Sequence, residues 1–242
     1  MPSAPDRSGP APPPRTEAVA FGAPLLLLNL KTYPVCLGEG ARTVARALSS
    51  AARELGVGAA IAPATPDLGR LSAELSIPVL AQHTDVTPAG PHTGTVPPEA
   101  LRAAGVRGSL VNHSEHRLDA ATTERTCVRL TALGLIPVVC AGTVEEAREL
   151  ARLRPPYLAV EPPELVGGDR AVSTARPEVV EGTVVAVREV SPDTRVLCGA
   201  GVHDRQDVRR ALELGSGGVL VASAVTRAAN PRAAIAELLA GF

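Results

Sequence analysis

Two polar side chains near the start of the chain are of the kind that act on anionic substrates. Asn29 and Lys31 come at the end of an aliphatic run, on alternate residues, so both are expected to face the same end of a strand. Lys31 is the only lysine in the chain, and arginine supplies every other basic side chain. A functional role is therefore favoured over a place on the solvated surface, since a compact ammonium at a strand end can hold a phosphate or a developing oxyanion.

A histidine follows another aliphatic run further along the chain. A lone histidine is more often a capping or core residue, but His113 has Asn112 and Glu115 beside it at a predicted strand end. These neighbours favour an active-site electrophile. The other histidines have no comparable neighbours and are interpreted as capping or core residues: His83, His92, His116 and His203.

Glu161 is the candidate general base. It follows the run Tyr-Leu-Ala-Val and precedes Pro162 and Pro163, which deny the backbone a helix start and stiffen the loop. The glutamate is then expected on a rigid stem at a strand end, where it can accept a proton. Glu164 is interpreted as a surface residue, and the segment 165–169, apolar and then glycine-containing, is typical of a lid.

Small residues end the last two predicted strands. Gly199-Ala200-Gly201 and Ala222-Ser223 would let backbone amides approach a ligand closely. Amides at the start of a short helix in this position favour a phosphate site.

These groups need a scaffold that brings distant strand ends together. From Pro24 onward, short runs that are apolar throughout alternate eight times with segments of helical period, as expected for strands buried on both faces. Glycine enters the left-handed cap conformation at little cost, so helix ends are predicted at Gly56, Gly105, Gly134 and Gly215. The predicted strands are residues 25–30, 59–62, 79–82, 109–112, 136–140, 157–160, 195–198 and 219–222, and the clearest helices are 41–55, 120–133, 144–153, 177–190 and 204–214.

Eight strand-helix units predict an α/β fold in which a single domain, residues 21–242, closes into a barrel. An open doubly wound sheet is the alternative. Such a sheet needs no eighth unit and usually carries a glycine-rich turn after its first strand, where this chain has Asn29-Leu30-Lys31. In a barrel of this kind the chemistry lies on the loops that follow the carboxyl ends of the strands.

The bulk composition argues against several classes of function. With 24 basic and 25 acidic residues the formal net charge is -1, which offers no field to attract nucleic acid or an anionic membrane. The four cysteines have neither metal-ligand spacing nor a paired framework, which indicates reduced thiols in a cytoplasmic protein. Residues 1–20 are rich in proline and lack the apolar run of a signal peptide, so a disordered arm is expected there. No later segment has the roughly 20 apolar residues that span a bilayer.

Together these segments resemble the triosephosphate isomerase family in its short archaeal form. The resemblance covers nearly everything from Leu25 to Phe242. It rests on Asn29-Leu30-Lys31-Thr32-Tyr33, Ala81-Gln82-His83, His92-Thr93-Gly94, Asn112-His113-Ser114-Glu115, Val160-Glu161-Pro162-Pro163-Glu164-Leu165, Leu197-Cys198-Gly199-Ala200-Gly201 and Gly218-Val219-Leu220-Val221-Ala222-Ser223.

The resemblance implies a (β/α)8 TIM barrel that interconverts dihydroxyacetone phosphate and D-glyceraldehyde 3-phosphate through an enediolate. It implies that Glu161 moves the proton, that His113 is the neutral electrophile, and that Lys31 offsets negative charge. Asn29 would donate to the substrate oxygen, and Glu115 would pair with Lys31. Backbone phosphate contacts are implied at Gly167, Gly199, Gly201, Ala222 and Ser223.

The resemblance also carries expectations about partners. It implies a small phosphorylated sugar as substrate, with no metal and no organic cofactor. Thr93 is similar to the residue that reaches across to a neighbouring subunit, which implies a homodimer or homotetramer.

One departure from the family pattern leaves alternatives open. The far hinge of the lid usually reads Gly-Thr-Gly before an apolar residue, whereas this chain has Gly167-Gly168-Asp169-Arg170. The added charges motivate a second hypothesis, an isomerase for a larger sugar phosphate such as a tetrulose phosphate or a precursor in specialised metabolism. A third hypothesis is a non-catalytic phosphate-binding barrel.

Overall fold

Eight parallel strands form one sheet in the computed structural model, which describes residues 21–22, 24–168 and 170–242. The proline-rich arm predicted for residues 1–20 lies outside the described residues, as does Asp169. The strands are β1 (Leu25–Asn29), β2 (Gly58–Ala62), β3 (Leu80–Ala81), β4 (Gly108–Val111), β5 (Ile136–Ala141), β6 (Tyr157–Val160), β7 (Arg195–Gly199) and β8 (Gly218–Val221).

The sheet closes on itself. Its strand order is β2-β1-β8-β7-β6-β5-β4-β3, so the first strand pairs with the last, with Leu25 opposite Gly218. A single pairing of Ile61 with Val79 bridges the remaining gap between β2 and β3. The predicted (β/α)8 barrel is therefore confirmed, and the open doubly wound sheet is wrong because its edges would not meet.

Helices surround the barrel and connect successive strands. The predicted glycine stops are confirmed, since Gly56, Gly105, Gly134 and Gly215 all have φ between 68° and 88°. Short 3-10 turns occur at Pro34–Cys36, Thr65–Asp67 and Pro163–Leu165. The α-helices are α1 (Glu39–Leu55), α2 (Leu68–Glu74), α3 (Pro98–Ala103), α4 (Ala120–Ala132), α5 (Val144–Ala151), α6 (Val172–Ala175), α7 (Pro177–Val190), α8 (Arg205–Glu213), α9 (Ser223–Thr226) and α10 (Pro231–Leu239).

Two aliphatic cores hold the barrel together. Alternate strand residues such as Leu25 and Leu27 point inside it, whereas Leu26 and Leu28 pack against the surrounding helices. At the amino ends of the strands, Phe21 stacks on Tyr157 with ring centroids 5.4 Å apart. These rings form a floor, which leaves the opposite end of the barrel for the site.

Two further observations bear on the protein's surroundings. Across residues 21–22, 24–168 and 170–242, the helices are all too short or too polar to cross a membrane. Cys36, Cys127, Cys140 and Cys198 are buried free thiols.

Candidate active site

The carboxyl ends of the strands bring most of the predicted site residues around one cavity. Its empty space is about 400 Å³, open solvent at its mouth included. Loops after β1, β4, β6, β7 and β8 supply the walls, as expected for a barrel of this kind. Of the predicted residues, those that line the cavity are Asn29, Lys31, His113, Glu161, Gly167, Gly201, Ala222 and Ser223.

Glu161 is a buried carboxylate that keeps one oxygen without a partner. Its backbone N–H donates to the Ala141 carbonyl at 2.8 Å, which extends the pairing of β5 with β6 and fixes the start of the loop. The residue is 5% exposed, and Oε2 makes no hydrogen bond within the described part of the chain. Because buried polar atoms ordinarily have a hydrogen-bond partner, this oxygen is free to meet a group bound in the cavity. Burial and the nearby Glu161 charge raise the pKa of the Cys140 thiol well above its ordinary value, so that neighbour stays neutral.

His113 presents one ring nitrogen to Glu161 and the other to the backbone. Nδ1 accepts a hydrogen bond from the Glu115 N–H at 3.1 Å, so the hydrogen of the neutral ring lies on Nε2. Nε2 is 3.5 Å from Oε2 of Glu161, which is beyond good hydrogen-bond geometry but close enough for the charge to act. The neutral ring is therefore oriented to donate from Nε2 into the cavity.

Opposing influences act on the pKa of His113. Burial disfavours the imidazolium and would lower the pKa of His113. The adjacent Glu161 carboxylate and, with a smaller contribution, Glu115 together outweigh burial and raise the pKa of His113 above its ordinary value. A substrate group placed between Glu161 and His113 would weaken this support for the imidazolium.

Lys31 is held from three sides. Its Nζ lies 2.7 Å from Oε1 of Glu115, and its N–H donates to Oδ1 of Asn29 at 3.0 Å. Its carbonyl accepts from Nε2 of Gln82 at 2.9 Å. The expectation that Lys31 continues the strand alternation is wrong, because β1 ends at Asn29 and Lys31 has a left-handed φ of 50°. The ammonium reaches the cavity through this strained turn, which its hydrogen bonds stabilise.

Two side chains, Gln82 and Asn112, form hydrogen bonds that support the site and that the sequence did not predict. Gln82 bonds the carbonyls of Lys31 and Ala62, which joins the loops after β1, β2 and β3. Asn112, with a left-handed φ of 62°, donates to Oε1 of Glu146 at 3.1 Å and so braces the His113 turn against α5. Gln82 could have been found in the same way as Asn29, as a polar side chain at the end of a predicted strand. The hydrogen bond between Asn112 and Glu146 joins residues far apart in the chain, and no local sequence pattern indicates it.

The predicted lid, residues 165–169, is described as far as Gly168, and together with the turn before it the described lid spans residues 163–168 beside the cavity. It begins with the 3-10 turn at Pro163–Leu165, and Val166 and Gly167 face inward to line the cavity wall. Its far hinge packs tightly on the loop after β7, where a Cβ at Gly201 would lie 2.0 Å from the Arg170 carbonyl oxygen. Gly201 also has a φ of 69°, so glycine is required there on both counts. Ser223 begins α9 at the end of β8, on the same wall.

Three predicted site residues do not line the cavity. Glu115 is outside it and acts on Lys31 through the ion pair. Gly199 lies behind Glu161, where a Cβ would be 2.5 Å from Cγ of the glutamate. Thr93 is exposed in the loop between β3 and α3.

The arrangement contains the parts for proton transfer next to a carbonyl in a phosphorylated substrate. It has a free carboxylate oxygen, an imidazole N–H, an ammonium and a wall of small residues. Among the residues that the structure describes, no group of three or more His, Cys, Asp or Glu side chains is placed to hold a metal ion. The expectation that no cofactor is needed stays a prediction.

Comparisons with known proteins agree with this chemistry. A model of the triosephosphate isomerase family matches residues 24–239. The chain is 46% identical over 216 residues to a protein from Methanothermus fervidus, across 89% of this chain and 97% of that protein. It is 44% identical over 219 residues to one from Methanosarcina acetivorans (90% and 99%), and 43% identical over 215 residues to one from Methanocaldococcus jannaschii (89% and 98%). All three archaeal proteins are named triosephosphate isomerase. The chain belongs to the triosephosphate isomerase family.

Proposed function

We propose that this chain interconverts dihydroxyacetone phosphate and D-glyceraldehyde 3-phosphate, with Glu161 as the base and His113 as the electrophile. One observation carries the proposal: a buried carboxylate oxygen without a hydrogen-bond partner faces the Nε2 of a histidine whose Nδ1 is already occupied by a backbone N–H. This places a proton acceptor beside a hydrogen-bond donor, with the two atoms 3.5 Å apart.

The proton transfer follows from that geometry. Oε2 of Glu161 removes a proton from the carbon beside the carbonyl, and the electron pair of the C–H bond moves to form the enediolate. Nε2–H of His113 donates to the oxygen on which charge develops, which stabilises the transition state more than the substrate. The hydroxyl proton of the enediolate then moves from one oxygen to the other by way of Nε2 of His113, and Glu161 returns its own proton to the neighbouring carbon, which exchanges ketose for aldose. The reaction needs no net gain or loss of atoms or electrons.

Lys31 supplies the positive charge that the intermediate needs. Its ammonium lines the cavity, and the 2.7 Å pair with Glu115 and the backbone bonds fix where that charge lies. Because Asn29 Oδ1 accepts the Lys31 N–H, its amide is oriented to donate toward the substrate oxygen.

The phosphate is assigned to the small residues of the cavity wall. Amides of Gly167, Gly201, Ala222 and Ser223 are the proposed donors, and all four residues line the cavity. Gly199 supports this wall and Glu161 from behind rather than from within it. A closed lid keeps water from the enediolate, which otherwise expels its phosphate.

The two other hypotheses receive less support. The relatives quoted are all named for the triose reaction, so the larger-sugar alternative is not favoured. A non-catalytic barrel has no chemical need for Asn29, Lys31, His113 and Glu161 around one cavity, and all four line it.

A homodimer or homotetramer is part of the proposal. Val35 and Leu37, in the loop after β1, are 64% and 43% exposed, which favours cover by a second copy. Thr93 is proposed to reach the partner from the loop after β3. Light scattering on a size-exclusion column tests this, and a monomer would contradict it. The buried free thiols support a cytoplasmic location.

A coupled assay of glyceraldehyde 3-phosphate turnover tests the proposed reaction. Glu161→Gln keeps the shape of the side chain but removes the base, and we expect kcat to fall about a hundredfold or more. Glu181→Gln, an exposed change on α7, is the matched control and should leave the rate unchanged. Negligible turnover by the wild-type protein, or an unchanged rate in Glu161→Gln, would overturn the proposal.

A further inference from the structure

One hydrogen bond ties the lid to the loop that follows β7. The ring Nε2 of His203 lies 2.9 Å from the carbonyl oxygen of Gly168. Because a carbonyl can only accept, Nε2 carries the hydrogen. Within the described residues, no other hydrogen bond joins the backbone of residues 163–168 to a different part of the fold, and the other tie is a side-chain ion pair, Glu164 with Arg176 at 2.7 Å.

His203 is itself held in place by α6 and α8. Its N–H donates to Oδ2 of Asp207 at 2.9 Å, in the first turn of α8. The Ser173 hydroxyl of α6 donates to the Asp207 carbonyl at 3.2 Å, and the Thr174 hydroxyl lies 3.4 Å from the Asp207 carboxylate. The imidazole therefore projects toward the lid from a braced loop rather than from a free one.

Each partner of this bond adjoins a residue that lines the cavity. Gly168 directly follows Gly167 in the lid, and His203 directly follows Val202 in the loop after β7. We propose that His203 is a positioning residue that holds the lid closed while the phosphate is bound. This proposal rests on the proposed function, because closure matters only if the cavity forms an enediolate.

The size of the effect follows from the bond. A hydrogen bond of this kind changes an equilibrium constant about fivefold, so its loss lowers the closed fraction of the lid by about that factor. Two kinetic quantities then change. KM for the phosphorylated substrate rises, and more of the enediolate is lost before reprotonation. In that loss the electron pair of the enediolate expels inorganic phosphate from the adjacent carbon, which leaves the enol of methylglyoxal.

Four proteins test the proposal: the wild type, His203→Ala, His203→Gln and Gln206→Ala. Glutamine can present an amide N–H at similar reach, and Gln206 is exposed on α8 three positions further on, so Gln206→Ala is the matched control. The assay records kcat, KM and inorganic phosphate released per isomerisation, together with the thermal midpoint. We expect His203→Ala to raise KM and phosphate release about fivefold, His203→Gln to restore both, and Gln206→Ala to match the wild type.

The outcomes separate the two proposals. A wild-type protein without turnover would refute the proposed function. A wild type that turns over while His203→Ala keeps its KM and phosphate release would overturn the role of His203. Equal losses in the alanine and glutamine variants, with lowered thermal midpoints, would show that the residue only packs and would overturn it too.

Discussion

Placing a methyl group behind Glu161 tests whether the position of its carboxylate sets the rate. Gly199 ends β7 directly behind the glutamate, and a Cβ there would lie 2.5 Å from Cγ and 3.1 Å from Cδ and Oε1. Non-bonded carbon atoms need about 3.5 Å, so the glutamate must move by about 1 Å. Because the Glu161 side chain borders the cavity, we expect the fold to absorb the methyl group by displacing the carboxylate toward that space.

A misplacement of about 1 Å costs roughly a hundredfold in rate. We therefore expect Gly199→Ala to lower kcat about a hundredfold, whereas KM should change much less because Gly199 does not line the cavity. The coupled assay measures both quantities, and thermal unfolding checks that the protein remains folded.

A second glycine provides the control. At Gly182 in α7, an added Cβ would contact the Val144 methyl groups at 3.6 and 3.8 Å, which is ordinary packing. Gly182→Ala should keep full activity and raise the free energy of unfolding by about 0.5–1 kcal/mol. If Gly199→Ala retained kcat within about twofold of the wild type, the reasoning that couples β7 to the base would be refuted.

Three other changes have defined outcomes. In Glu161→Gln, the pKa of His113 should fall below its wild-type value, because burial and the Lys31 ammonium then act against the imidazolium without the carboxylate; an NMR titration of the ring nitrogens measures it. Gln82→Met removes the bonds to two backbone carbonyls and should lower the free energy of unfolding by about 1–3 kcal/mol and also lower kcat/KM, as denaturant titration and the coupled assay would show. Tyr157→Phe removes a hydroxyl that accepts an amide hydrogen at the barrel floor and should cost about 1 kcal/mol of stability, measured by denaturant titration, with kcat unchanged.

Local pattern was enough to predict most of the elements. Strands buried on both faces of a closed parallel barrel are apolar throughout, and the pattern therefore predicts the strand Tyr157–Val160 to the residue. The helical period predicts the helix Pro177–Val190 equally well. The third strand shows the limit. It was predicted as residues 79–82 but is only Leu80–Ala81, because Val79 makes an isolated pairing with Ile61 and Gln82 turns its amide to two carbonyls.

Site residues could be predicted where a general rule about barrels gives their position. They could not be predicted where a contact with a residue far along the chain sets their conformation or role. Glu161 and His113 were found because chemistry in these barrels lies at the carboxyl ends of strands. The hydrogen bond between His203 and the lid could not be predicted, because Gly168 is 35 positions away and a single sequence gives no sign of their contact. The left-handed turn at Lys31 was missed for the same reason, because Gln82, 51 positions away, supports it.

The seam between β1 and β8 has a consequence for how the protein is made. The first strand to leave the ribosome can pair with β2 early, but its other edge finds its partner only after the last strand has been synthesised, because Leu25 also pairs with Gly218. Until then β1 and the growing end of the sheet are open edges of apolar sequence, which are the surfaces that drive aggregation of unfinished chains. Release of the complete chain is thus expected to be the step that allows the barrel to close, and chains interrupted before β8 are expected to depend on chaperones.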